Sequence, residues 1–189
     1  MSETAGNSGP AHAAGHRTDR PAAARAGDPP GRDPPGGDPP SRVIERGRSK
    51  AYRPLPAAAR RAALAAGLAA YERGDFFAAH ELLEPAWMGS NDPAERALTS
   101  GLIKLAAGFV HAVRGNPAGI ATNLRGARVR LAAAVEAEGP DAGLDLPRLI
   151  EAIDDRLRRL APLVASGARG ASLPPGDMTA PALPRRPAR

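Results

Sequence analysis

The stretch Phe76-Phe77-Ala78-Ala79-His80-Glu81-Leu82-Leu83-Glu84-Pro85-Ala86-Trp87 sets an imidazole and two carboxylates among large apolar residues. Read as a helix, at about 100° per residue, it holds His80, Glu84 and Trp87 within roughly 60° of one another. Amphipathic patterning alone would put the imidazole and carboxylate on the side away from Trp87. Further on, Lys104 and His111 interrupt the apolar run from Leu102 to Val113. Seven residues apart, they fall on one helical stripe. A buried Lys or His is costly without a partner. The His80/Glu84 face is therefore expected to meet the Lys104/His111 stripe.

Two chemistries fit such a cluster. One is a structural polar network, with Glu84 paired to Lys104 or His111 and Trp87 covering them; buried networks of this kind need every member satisfied. The other is a metal or small-ligand site, with hydrolysis as its enzymatic form. Two imidazoles and a carboxylate, His80, Glu84 and His111, are a ligand set for a divalent transition metal. Glu81, Trp87 and Asn116 complete the candidate site. The motif is His-Glu-x-x-Glu, not the His-Glu-x-x-His of zinc peptidases, and the repeated Glu-x-x-His of di-iron bundles is missing. Arg125, Arg128 and Arg130 read as a solvated basic face.

The elements that must position these residues are helices. Leu64, Leu68 and Tyr71 give a first apolar stripe, starting near Pro56 and stopping at Arg73-Gly74. Asp75 is suited to cap the His80 helix. Asp92-Pro93 opens the Lys104 helix, which ends at Arg114-Gly115-Asn116. Pro117 starts a fourth helix with Ile120, Leu124, Ala127, Leu131 and Ala134 on its inner face. Asp145-Leu146-Pro147 starts a fifth, running to about Val164. Pro85 predicts a kink or weakened turn. The fold class is all-α, a small bundle of four to five helices over residues 55–165, and no strand is expected.

The flanks read differently. Residues 1–54 are expected to be a disordered Pro/Gly-rich tail (1–41) and a basic connector (42–54) that crosses the domain surface through Val43, Ile44 and Tyr52. Three Asp-Pro-Pro units between Asp28 and Pro40 favour extended or polyproline II geometry. Residues 166–189 are expected to be a second disordered tail, rich in Pro and Arg.

The 189 residues include no cysteine, which excludes disulfide scaffolds and thiolate metal sites. The N-terminus lacks a basic segment followed by an apolar one, and no apolar run is long enough for a membrane span. A cytoplasmic location is the default. The net charge of +6 lies outside the helices. Residues 56–165 hold 13 Lys+Arg and 13 Asp+Glu, so any nucleic-acid contact is expected to be weak and through the basic tails.

The Asp75–Trp87 pattern, with Gly101-Leu102-Ile103-Lys104-Leu105-Ala106-Ala107-Gly108 and His111-Ala112-Val113-Arg114-Gly115-Asn116, resembles the bacterial "domain of unknown function 309" family. The resemblance covers about residues 60–135. It implies a small helical bundle and maps the family's motif onto His80, Glu81, Glu84, Trp87, His111, Gly115 and Asn116. Pro85 departs from the pattern, where a helix-compatible residue is expected. The family is uncharacterised and implies no activity. The reading favours a non-enzymatic binding or scaffold module, with no cofactor and with a protein partner or a second copy as its interactor. The alternative is the metal or ligand site at His80, Glu84 and His111.

Overall fold

The computed structural model describes residues 42–45, 47–170, 176 and 179–187, all in the unit spanning residues 38–189. The disorder expected of residues 1–41 falls outside the described residues. Five helices follow in chain order: α1 (Ala57–Glu72), α2 (Phe76–Met88), α3 (Pro93–Val113), α4 (Pro117–Glu136) and α5 (Leu146–Ala165). The protein is an all-α bundle in which each helix packs on the next along the chain.

Local chemistry sets the helix ends. The Asp75 carboxylate accepts from Ala78 N, Asp92 from Ala94 N, Asn116 from Gly119 N and Asp145 from Arg148 N, at 3.0–3.1 Å. Each satisfies an amide that the helix leaves without a partner. α1 and α3 stop at Gly74 and Gly115, whose φ values of 81° and 58° suit a residue without Cβ. α2 continues through Pro85 to Met88. Pro85 is exposed, so water can satisfy the carbonyl it leaves unbonded.

The core runs through the middle of the bundle. Leu98, Leu105 and Phe109 of α3 meet Ile120, Leu124 and Leu131 of α4, all fully buried. The expected inner face of α4 is the observed one. Glycine sets the spacing between α3 and α4, because a Cβ on Gly101 would lie 2.8 Å from Leu131 Cγ. Tyr71, Phe76 and Phe109 form an aromatic chain, with centroids 5.2 and 5.5 Å apart.

Two parts of the flanks differ from expectation. The basic connector forms an antiparallel hairpin, β1 (Arg42–Glu45) and β2 (Arg48–Ala51), pairing Val43 with Lys50 and Glu45 with Arg48. Alternation puts Val43, Glu45, Arg48 and Lys50 on one face and Ile44 on the other. Ile44 is 75% exposed, so it does not hold the connector down as expected. Residues 179–187, expected in a disordered tail, lie against the helices with Pro181 and Leu183 buried. Too few apolar residues for a core of their own made them read as disordered, yet they bury those two in someone else's.

Gly101 and Gly126 are both interior helical glycines, so alanine gains the same propensity at each. At Gly126 the new methyl would meet only Arg130 Nη1, at 3.3 Å, and Lys104 methylenes beyond that. Denaturant unfolding should place Gly101→Ala below Gly126→Ala by about 1–3 kcal/mol, the cost of overpacking.

Candidate functional site

Arg96 lies in the first turn of α3 and points inward; it is 3% exposed. A guanidinium removed from water must find acceptors for its donors. Its Nη1 donates to the carbonyls of Trp87 (2.8 Å) and Ser90 (2.9 Å), fixing the α2–α3 loop. Nε and Nη2 donate to Glu45 Oε2 on the hairpin, at 3.2 and 3.1 Å. The Trp87 indole N–H donates to the same oxygen at 3.2 Å, and the guanidinium carbon sits 4.8 Å from the centroid of the Trp87 ring. One buried cation thus joins α2, α3 and the hairpin through a forked ion pair and a cation–π contact.

The loop beside it is braced by Glu95. Its carboxylate accepts from Arg60 Nε at 2.8 Å and from Ser90 Oγ at 2.6 Å. Burial works against its ionised form. The hydrogen bonds from Arg60 and Ser90, with the positive charges of Arg60 and Arg61, outweigh that and hold its pKa below the ordinary value of 4.5.

The hairpin face bearing Glu45 and Lys50 roofs a groove over α2, α3 and α4. Its inner compartment, about 140 Å³, is lined by Lys50, Glu84, Trp87, Lys104 and Arg130, among others. Adjoining compartments share Arg130 and Glu45; one is mostly polar and adds Arg48, the other is mostly apolar and adds Val43 and Pro93. Lys104 Nζ donates to Asn123 Oδ1 at 3.3 Å, and Arg130 Nη1 to the Gly126 carbonyl at 3.0 Å.

The structure brings part of the expected cluster together. Glu84, Trp87 and Lys104 share the compartment. His80 turns elsewhere: its Nδ1 lies 3.2 Å from Glu81 Oε1, and both side chains reach solvent. His111 sits against α4, with Nδ1 3.4 Å from Asn116 Nδ2 and within 2.6 Å of where a Cβ on Gly119 would be. The Lys104/His111 stripe therefore faces α4, not the His80 side of α2. Gly119 has no side chain, so α4 comes close enough to take His111 against itself. His80, Glu84 and His111 do not gather as a ligand set. Among the described residues no three His, Asp or Glu side chains form a group able to hold a metal ion. Arg114-Gly115-Asn116 ends α3 and caps α4. Sequence reasoning missed Arg96, Glu45 and Lys50. The only signal for Arg96 was its place four residues after the Asp92 cap, on the side of α3 that carries Thr99 inward.

Residues 64–123 match the model of a family described as "Domain of unknown function (DUF309)". The matched segment is similar to that family and contains α2 and α3 with all their motif residues. No curated protein and no solved structure matches the chain. Among the described residues no helix is long and apolar enough to cross a membrane.

Arg96→Ala takes the guanidinium from Glu45, which keeps the Trp87 indole N–H, and removes a donor from the carbonyls of Trp87 and Ser90. It should lower unfolding stability by about 3–5 kcal/mol, the usual cost of breaking a buried pair from one side. The emission of Trp87, the chain's single tryptophan, should shift to the red. Because Glu95 has a lowered pKa in the folded state, its contribution to stability is complete above the ordinary carboxylate value of 4.5 and is lost as the pH falls through the folded value. Unfolding measured against pH should therefore show a shallower acid slope in Glu95→Gln than in the native chain.

Proposed function

We propose that the protein is a non-enzymatic binding module that takes a small organic anion in the compartment beneath the hairpin. The observation that carries this reading is the convergence of three cationic side chains, Lys50, Lys104 and Arg130, on one space of about 140 Å³. Two carboxylates face them, and Glu45 is already engaged by Arg96. The lining presents the Lys50 and Lys104 ammonium groups, a wall of Trp87 and Ile103, and the Glu84 carboxylate. A few polar groups aimed into an apolar recess are the usual build of a small-molecule site.

Each lining group has a chemical role. The Lys104 ammonium has three donors and spends one on Asn123, so two remain for an anion. Lys50 approaches from the roof, Arg130 from α4. Glu84 accepts from a hydroxyl or amine on the ligand, and Trp87 covers its carbon frame. Side-chain positions favour this ligand-binding form of the site over the metal form, which would need His80 and His111 to turn toward Glu84.

Trp87 makes the test direct. Titrating the full chain with glycerol phosphate or lactate should give a saturable change in tryptophan emission that weakens as salt is added. Neutral glycerol should give none. Lys104→Ala should weaken the binding about tenfold, the effect of one lost charge-assisted hydrogen bond. An equal response to glycerol and glycerol phosphate, or none to either anion, would contradict the reading.

A further inference from the structure

The last described stretch, Thr179-Ala180-Pro181-Ala182-Leu183-Pro184-Arg185-Arg186-Pro187, carries proline at every third position from Pro181. That period matches one turn of polyproline II, a conformation with little ordering entropy left to lose on binding. The bundle receives it through an antiparallel bridge, Leu144 opposite Arg185, and through side-chain contacts. The Tyr71 hydroxyl donates to the Pro181 carbonyl at 3.0 Å. Asp145 N donates to the Pro184 carbonyl at 2.8 Å, and Arg186 N to the Gly143 carbonyl at 3.0 Å. Leu183 enters the core cluster at 9% exposure. The two arginines are read by acids on different elements: Arg185 by Glu72 at the end of α1 (2.5 Å), Arg186 by Asp141 in the α4–α5 loop (2.7 Å).

We infer that this face of the bundle is a recognition groove for basic proline-rich segments, occupied in the structure by the chain's own C-terminal stretch. Main-chain bonds supply grip, an apolar socket takes the leucine, and two acids select arginine, the division of labour seen in peptide-recognition grooves. The groove is also larger than its occupant. Beside the segment lie spaces of about 300 and 370 Å³, walled by Leu64 and Leu68 on one side and Phe76 on the other. The ion pairs holding the segment are about half exposed and individually weak. Its attachment to α5 raises its effective concentration. A partner that presents the same Pro-x-x-Pro-Arg-Arg pattern, with bulkier groups for the flanking spaces, would displace it. The Asp-Pro-Pro units of the N-terminal region carry acids in place of the arginines, so the groove's charge favours a partner of the C-terminal type. The inference is independent of the anion site.

A labelled peptide with the sequence of residues 179–187, added to the full chain, tests it. The native chain should bind it weakly, because the groove is filled. The Arg185→Glu/Arg186→Glu chain loses the two exposed ion pairs while Leu183 and the core stay untouched. It should bind the peptide about tenfold tighter, as expected when a tethered competitor is weakened. Adding Glu72→Arg should abolish the gain, because it re-forms the tethered pair with Glu at position 185 and repels the peptide's arginine. Equal binding by the native and the double-variant chains, or binding indifferent to Glu72→Arg, would overturn the proposal and leave the segment a fixed part of the fold.

Discussion

A buried guanidinium cannot be left partly satisfied, and that requirement organises the candidate site. Arg96 needs acceptors from three directions and takes them from the last turn of α2, the loop after it and Glu45. The ends of two helices and an outlying hairpin become one unit as a result. Without this ion pair, β1 and β2 would be a two-stranded ribbon, which is marginal by itself in water. With it, the ribbon presents Lys50 to the same space that α3 and α4 supply with Lys104 and Arg130.

The helices were readable from the chain because their ends are written in local chemistry. Asp75, Asp92 and Asp145 cap where they were expected to, and Gly74 and Gly115 stop the helices they follow. The inner face of α4 follows from its spacing alone. The pairing of faces was not readable in the same way. His80, Glu84, Lys104 and His111 stood out by type, yet which helix would claim Lys104 and His111 depended on how closely each neighbour could approach. Gly119 settles that for His111 in favour of α4, and it looks unremarkable in sequence. The roof of the cavity was hidden because a ribbon of two four-residue strands that leaves Ile44 in water has the composition of a linker.

Both surfaces argued for above use the bundle in one way. A helical core with zero net charge over residues 56–165 receives a short flanking segment and gains from it what helices alone lack. The N-terminal hairpin brings Glu45 and Lys50 to the compartment over α2, α3 and α4. The C-terminal stretch fills a groove edged by Tyr71, Glu72 and Asp141. In each case an acid–arginine pair holds the segment in register, Glu45 with Arg96 at one end and Glu72 with Arg185 at the other. The second pair is far more exposed than the first, so the hairpin is the firmer of the two attachments.

Amide hydrogen exchange on the native chain and on Arg96→Lys tests the organising role of Arg96 most directly. Lysine keeps the charge but cannot fork between Glu45 and the loop carbonyls. The account predicts that the amides paired between β1 and β2 lose protection in the variant while those of α4 keep theirs. Unchanged protection in the hairpin would contradict it.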